Sequence, residues 1–307
     1  MNPSKLFLGV SLSVSLALGA CSSANDSGGG SGAAGGFGGA GAGGSGGSGG
    51  IALGGSGGGL DIDGGGATGG GTGGGCSQAI DIVFSMDVST SMGAFLNKLA
   101  DEIEAVDKAV KALNLTAEPH YGLIVFVDDT LFANSSQPYA DVLTLETDFK
   151  SWASFTSSNQ QTAGGNANTT FPENSLDALY RAAKEFAWRP KETTLRLVIH
   201  TTDDTFVQGP TTHNGVQVLH NYPETVKQLQ DQQVRVFGFA SLLGGPFETD
   251  DVSQGWFTTV AGSPSIPDAT GGGVYKLDDV MSGTVSLSDA IPAAVKDTYC
   301  KPYPTPK

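Results

Sequence analysis

Asp87, Ser89 and Ser91 are the residues of this sequence best placed to do chemistry together. They occupy alternate positions in Asp87-Val88-Ser89-Thr90-Ser91. That stretch closes the apolar run Ala79-Ile80-Asp81-Ile82-Val83-Phe84-Ser85-Met86 and opens a helical pattern near Met92. Alternate residues of extended chain point the same way, so one carboxylate and two hydroxyls share one side of one loop. Three hard oxygen ligands at the C-terminal end of a buried strand suit a small hard cation, above all Mg²⁺. That end of a parallel sheet is also where α/β proteins bind ligands.

Such a loop needs a rigid frame, and the rest of the sequence supplies the pattern of one. Met92, Phe95, Leu96, Leu99, Ile103, Val106, Val110 and Leu113 recur at three-and-four spacing and predict a helix. Further helices are predicted from the stripe Leu176, Leu179, Tyr180, Ala183 and Phe186, and over 223–232 and 286–299. Buried strands are predicted at 121–127, 195–203 and 234–240, an edge strand at 139–145, and a short strand at 274–277. Alternating strands and helices imply an α/β fold: a doubly wound, mostly parallel six-stranded sheet with helices on both faces. The segments 128–138, 157–170, 204–221 and 241–272 are longer than connectors require, and long loops on a rigid frame are where recognition residues tend to sit.

Asp87-x-Ser89-x-Ser91 resembles the first motif of von Willebrand factor type A domains, which include integrin I domains and carry a metal-ion-dependent adhesion site. Two further motifs belong to that family in order: a threonine in a loop before a helix, then a Thr-Asp ending a buried strand. Thr170, ahead of Phe171-Pro172-Glu173-Asn174-Ser175-Leu176, matches the first. Leu195-Arg196-Leu197-Val198-Ile199-His200-Thr201-Thr202-Asp203 matches the second. The resemblance covers nearly all of 76–300. It implies Mg²⁺, with Mn²⁺ or Ca²⁺ in its place, held by Asp87, Ser89, Ser91, Thr170 and Asp203. It also implies that an acidic side chain of a protein partner completes the shell. The sequence departs from the family twice. Asp204 stands where a glycine usually follows the Thr-Asp, and Thr169 competes with Thr170, which fits the family's distance to the next helix better. Asp204 and Thr169 are therefore expected beside the ligands.

Residues 1–20 read as a lipoprotein signal peptide: Lys5, an apolar stretch over 6–18, then Gly19 and Ala20. Leu18-Gly19-Ala20-Cys21 resembles a bacterial lipobox, which makes Cys21 the lipidated residue and places the protein in the cell envelope, at the outer membrane or cell surface. Residues 21–75 are a Gly/Ser-rich tether that cannot bury enough surface to offset its ordering entropy. The domain follows at 76–300, and 301–307 form a tail. A net charge of -15 lacks the basic footprint that nucleic-acid binding requires.

Of the three cysteines, Cys76 and Cys300 remain once Cys21 takes lipid, and they bracket the domain. The implied fold brings its termini near one another, and an oxidising compartment then favours a disulfide between them. His200 falls inside an apolar strand and reads as a hydrogen-bonded core residue; Asp128-Asp129 reads as a solvated turn. His120, His213 and His220 lack metal-hydrolase spacing, and no nucleophile-base arrangement is visible, so the chain reads as a binding module and not as an enzyme. The alternative is an accessory or sensor subunit of an envelope complex that docks a dedicated partner.

A single acyl chain binds membrane only marginally, so stable anchoring through Cys21 requires several chains on that residue. Cys21→Ala is expected to release the protein from membranes. Unchanged membrane fractionation of the variant refutes the lipid anchor.

Overall fold

The computed structural model describes residues 76–113, 115–244 and 250–305. The signal peptide, the tether and Cys21 lie outside the described residues. Among the described residues no helix is long and apolar enough to cross a membrane.

The central strand is β1 (Ala79–Asp87), and all nine of its residues are buried. Burial on both faces is why its apolar run is nearly continuous. Ile80, Ile82, Phe84 and Met86 point to one face, where they pack with Phe95, Leu96 and Leu99 of α1 (Gly93–Lys111) and with the C-terminal helix α5 (Leu287–Thr298). Val83 points to the other, against Leu179 and Ala182 of α3 (Ser175–Glu185) and Leu229 of α4 (Tyr222–Asp231).

Two strands flank β1 in parallel: β2 (His120–Phe126) and β4 (Thr194–Thr202). Beyond them lie β3 (Thr130–Phe132) on one side, then β7 (Val234–Ala240) and β8 (Gly273–Lys276) on the other, in the order β3-β2-β1-β4-β7-β8. Within this sheet β3 alone is antiparallel. A small hairpin of β5 (Thr211–His213) and β6 (Val216–Val218) stands apart, inside the long 204–221 connection.

The edge strand expected at 139–145 is not there. Asp141 caps a helix instead, α2 (Val142–Phe155), its carboxylate accepting from Thr144 N at 2.8 Å. Leu145 and Phe149, four residues apart, are the helix's buried stripe. The apolar residues at 139–145 fit either period, and the cap decides in favour of the helix. The sheet's edge is β3, within the segment read as loop.

The closed end of β1 is tied down covalently and electrostatically. Cys76 and Cys300 form a disulfide, and Ser77 N donates to Tyr299 O at 2.8 Å beside it. Asp81, fully buried, accepts from Arg189 Nε at 2.7 Å and from Arg189 N at 2.8 Å. His200 is fully buried on β4. It stacks between Phe126 and Trp256 at centroid distances of 5.2 and 4.4 Å, with Nδ1 3.0 Å from Ser85 Oγ. Burial pushes its pKa down to about 3, so it is a neutral core residue.

The disulfide closes a loop with a sequence separation of 224. For so long a loop chain entropy gives about 5 kcal/mol, and measured disulfides commonly deliver about 2–4 kcal/mol. The Cys76→Ala/Cys300→Ala variant is expected to lose about that much in chemical denaturation. Equal stability of variant and wild type contradicts a stapling role.

Candidate metal centre

The parallel register sets Asp87 opposite Phe126 and Met86 opposite Thr201, so β1, β2 and β4 end level. Their outgoing loops therefore emerge side by side. Asp87 is fully buried; its Oδ1 accepts from Ser89 N at 2.8 Å and its Oδ2 from Thr202 Oγ1 at 3.1 Å. These bonds hold the carboxylate across two strands. Ser89 Oγ and Ser91 Oγ lie 3.2 Å apart. Their loop is pinned from behind, where Thr90 Oγ1 donates to Asn159 Oδ1 at 3.0 Å. A Cβ on Gly93 would sit 2.5 Å from Thr156 Oγ1, so a glycine is what lets the start of α1 approach the turn at Thr156–Ser158.

Ser89, Ser91, Thr169, Thr170 and Glu173 line one cleft of about 390 Å³. The Thr170 hydroxyl donates to Asp128 Oδ1 at 2.8 Å, and His213 Nε2 stands 3.1 Å from Thr170 Oγ1. Asp128 is fully buried, not a solvated turn. Its Oδ2 also accepts from Gln161 Nε2 at 3.3 Å and Asn214 Nδ2 at 2.6 Å. Asn214 and Gly215, with φ of 44° and 81°, form the tip of the β5–β6 hairpin. The hairpin thus docks on Asp128 beside Thr170. Asp129 turns away and accepts from Thr162 N and Ala163 N at 2.7 and 2.9 Å.

Glu173 is the residue that sequence reasoning missed. It is 1% exposed; Oε1 accepts from Asn168 Nδ2 at 3.1 Å, while Oε2 is buried without a hydrogen-bond partner. Its backbone bridges two loops, N to Thr205 O at 3.1 Å and O from Val207 N at 2.9 Å. The available signal was an acid between a candidate ligand threonine and a helix start, at the end of a long loop. Periodicity assigns no burial to such a position.

Asp203 directly follows β4 and is half-buried; Asp204 beside it is 3% exposed. Burial raises the Asp87 pKa to about 7, and the Asp203 charge adds to the rise. Glu173 is raised well above its ordinary value, first by burial and then by the charge of Asp87. These acids are therefore close enough to oppose one another's ionisation. Among the described residues no three His, Cys, Asp or Glu side chains form a metal-binding group by themselves. The oxygen set here mixes carboxylates with hydroxyls, which suits a hard cation.

A carboxyl group with a raised folded pKa stabilises at low pH, and that stability is lost as pH rises from about 4 towards about 7. In EDTA at pH 8, Asp87→Asn is accordingly expected to be more stable than wild type, by about 1–3 kcal/mol after allowing for one altered hydrogen bond. The difference vanishes near pH 4. A wild type that is the more stable at pH 8 without metal contradicts the repulsion.

No protein-family model and no curated protein matches this chain. Among solved structures it is similar to an aerotolerance-related membrane protein from Bacteroides fragilis NCTC 9343. The identity is 15%, covering 71% of this chain and 100% of that one, at a TM-score of 0.42. It is also similar to proximal thread matrix protein 1 from the mussel byssus, with 16% identity over 71% of this chain and 46% of that one, at a TM-score of 0.40.

Proposed function

We propose that this protein is a membrane-tethered, metal-dependent protein-binding module of the von Willebrand factor A type. The observation that carries the reading is Glu173 Oε2, a buried carboxylate oxygen without a partner, in the cleft that Ser89 and Ser91 also line. Ionising Glu173 there is disfavoured by its burial and by the Asp87 charge, and a bound cation would relieve both. Asp87 and Asp203, whose charges oppose one another, gain from the same cation.

The residues fit a divalent ion of the Mg²⁺ type, with Mn²⁺ or Ca²⁺ as substitutes. Asp87, Glu173 and Asp203 would neutralise it, and Ser89 and Ser91 would add neutral hydroxyl oxygens. Thr170 donates its hydroxyl hydrogen to Asp128 and stands 3.1 Å from His213 Nε2, which leaves one oxygen lone pair for the ion or a water beside it. Such an ion supplies a coordination position for an oxygen of a partner. The pinned Ser89–Ser91 loop and the docked hairpin hold the hydroxyls in place before the ion arrives. Lipid on Cys21 and the Gly-rich tether would hold this module at a distance from the envelope surface.

Titration of the full-length protein with Mg²⁺ in a calorimeter is expected to show one site. Asp87→Ala abolishes it, Glu173→Gln weakens it at least about tenfold, which is 1.4 kcal/mol, and Thr170→Ala weakens it less. Saturating Mg²⁺ at 100 times its Kd should also stabilise wild type by about 2.7 kcal/mol and leave Asp87→Ala unchanged. Wild-type Mg²⁺ binding by both Asp87→Ala and Glu173→Gln overturns the assignment.

A further inference from the structure

A separate cleft of about 150 Å³ lies at the closed end of the sheet, over the amino ends of β4 and β7. Lys191, Arg196, Arg235 and Lys301 line it, and Glu192 is the one acid among its lining residues. The chain has only 16 Lys and Arg residues and a net charge of -15, so composition does not account for their meeting here. Acids elsewhere on the surface act weakly on this cleft, because salt at physiological strength screens charge beyond about 8 Å.

Arg196 is 7% exposed and Arg235 4%. Buried guanidinium groups are ordinarily paired with a carboxylate. Among the described residues neither of these has one within ion-pair distance. Asp81 stands opposite Arg196 in the register, but Arg189 holds it. Backbone carbonyls take the place of acids. Arg196 grips Arg189 O with Nε and Nη2 at 3.0 and 2.6 Å, and Gln232 O with Nη1 at 2.8 Å. Arg235 Nη2 donates to Lys301 O and Pro302 O at 2.8 and 2.7 Å, and Nη1 to Gly271 O at 2.8 Å. Carbonyls fix the two groups in place and leave their charge uncancelled. Burial pulls the pKa of each down, as for any cation short of solvent. Thr194 lines the same cleft and is 5% exposed, and its Oγ1 is buried without a hydrogen-bond partner among the described residues. A hydroxyl left so is costly unless an acceptor arrives from outside.

We propose that this cleft binds a phosphate group. Its volume admits one small anion and falls short of the roughly 300 Å³ at which sites for drug-sized ligands begin. The Nε–Nη2 edge of each guanidinium is committed to carbonyls, so the side-on pairing that suits a planar carboxylate is closed. A tetrahedral oxyanion takes single donors from several directions: the remaining guanidinium N–H groups, the Thr194 hydroxyl and the ammonium groups of Lys191 and Lys301. Free phosphate, a soluble phosphomonoester and a phosphorylated lipid headgroup share this chemistry.

Titration of the full-length protein with inorganic phosphate tests this in a calorimeter, in EDTA so that no cation at the open end takes part. One site is expected. Thr194→Val removes the hydroxyl at nearly constant shape, and Lys301→Glu reverses an exposed charge. Each is expected to weaken phosphate binding at least about tenfold while melting as wild type does. The Cys21→Ala chain, with no lipid of its own, separates the sources. Sedimentation with phosphatidylcholine vesicles that carry phosphatidic acid, and not with phosphatidylcholine alone, assigns a lipid headgroup. Phosphate binding without such sedimentation assigns a soluble phosphate. Binding to neither phosphate nor vesicles overturns the proposal. Wild-type affinity of Lys301→Glu for whichever of the two binds also overturns it, and that arm stands even if Thr194→Val fails to fold.

Discussion

Burying carboxylates along β1 is the constraint on which the rest of this structure depends. The strand carries one at each end of its buried run, Asp81 and Asp87, both without solvent exposure. Taking a carboxylate out of water has the same physical cost at either end. At the closed end the chain answers from within, by folding Arg189 onto Asp81 with side-chain and backbone donors. At the open end no lysine or arginine lines the cleft, and Glu173 and Asp203 add charge in place of relieving it. One end is thus internally neutralised and suits the disulfide and the termini. At the other, burial and neighbouring acids raise the pKa values of Asp87 and Glu173 together.

The scaffold holds this end of the sheet through contacts between its loops. Level strand ends bring the loops after Asp87 and Thr202 together, and the Thr202 hydroxyl ties them at the carboxylate itself. The Glu173 backbone stitches the threonine loop to Thr205 and Val207. Asp128, just past the end of β2, gathers Gln161 and Thr170 from one loop and Asn214 from the hairpin. Both of its oxygens are taken up by these donors, so it acts as a post for the loops around it. Side chains locked by such partners lose little further freedom on binding, which is how a shallow cleft gains affinity.

Much of this was legible in the chain. The continuous apolar run of β1, the three-and-four stripe of α1, and the alternation of strands with helices identify a parallel sheet covered on both faces, because those periods report burial directly. Asp-x-Ser-x-Ser at a strand end is a local pattern, and local geometry alone sets its oxygens on one side. The bracketing of the domain by Cys76 and Cys300 was likewise visible, since a disulfide needs only two ends that meet. The misplaced edge strand at 139–145 marks the limit of period: seven residues of mixed apolar character fit both repeats, and the Asp141 cap became decisive only with the chain folded.

What only the tertiary structure decided is the charge and the wiring of the site. Asp128 reads in sequence as one of two adjacent turn acids, yet the β1–β2 register buries it and the hairpin tip, 86 residues on, donates to it. Thr170 is the same residue in both views, but its proton goes to Asp128, a partner 42 positions away. Glu173 carries no periodic or motif signal, and its burial follows from three loops closing over it. Sequence by itself determined which oxygens could meet an ion, because side-chain chemistry and local backbone direction are encoded within a few residues. Their burial and their hydrogen-bond partners depend on contacts far apart in the chain, and these exist only once the sheet has brought its ends level.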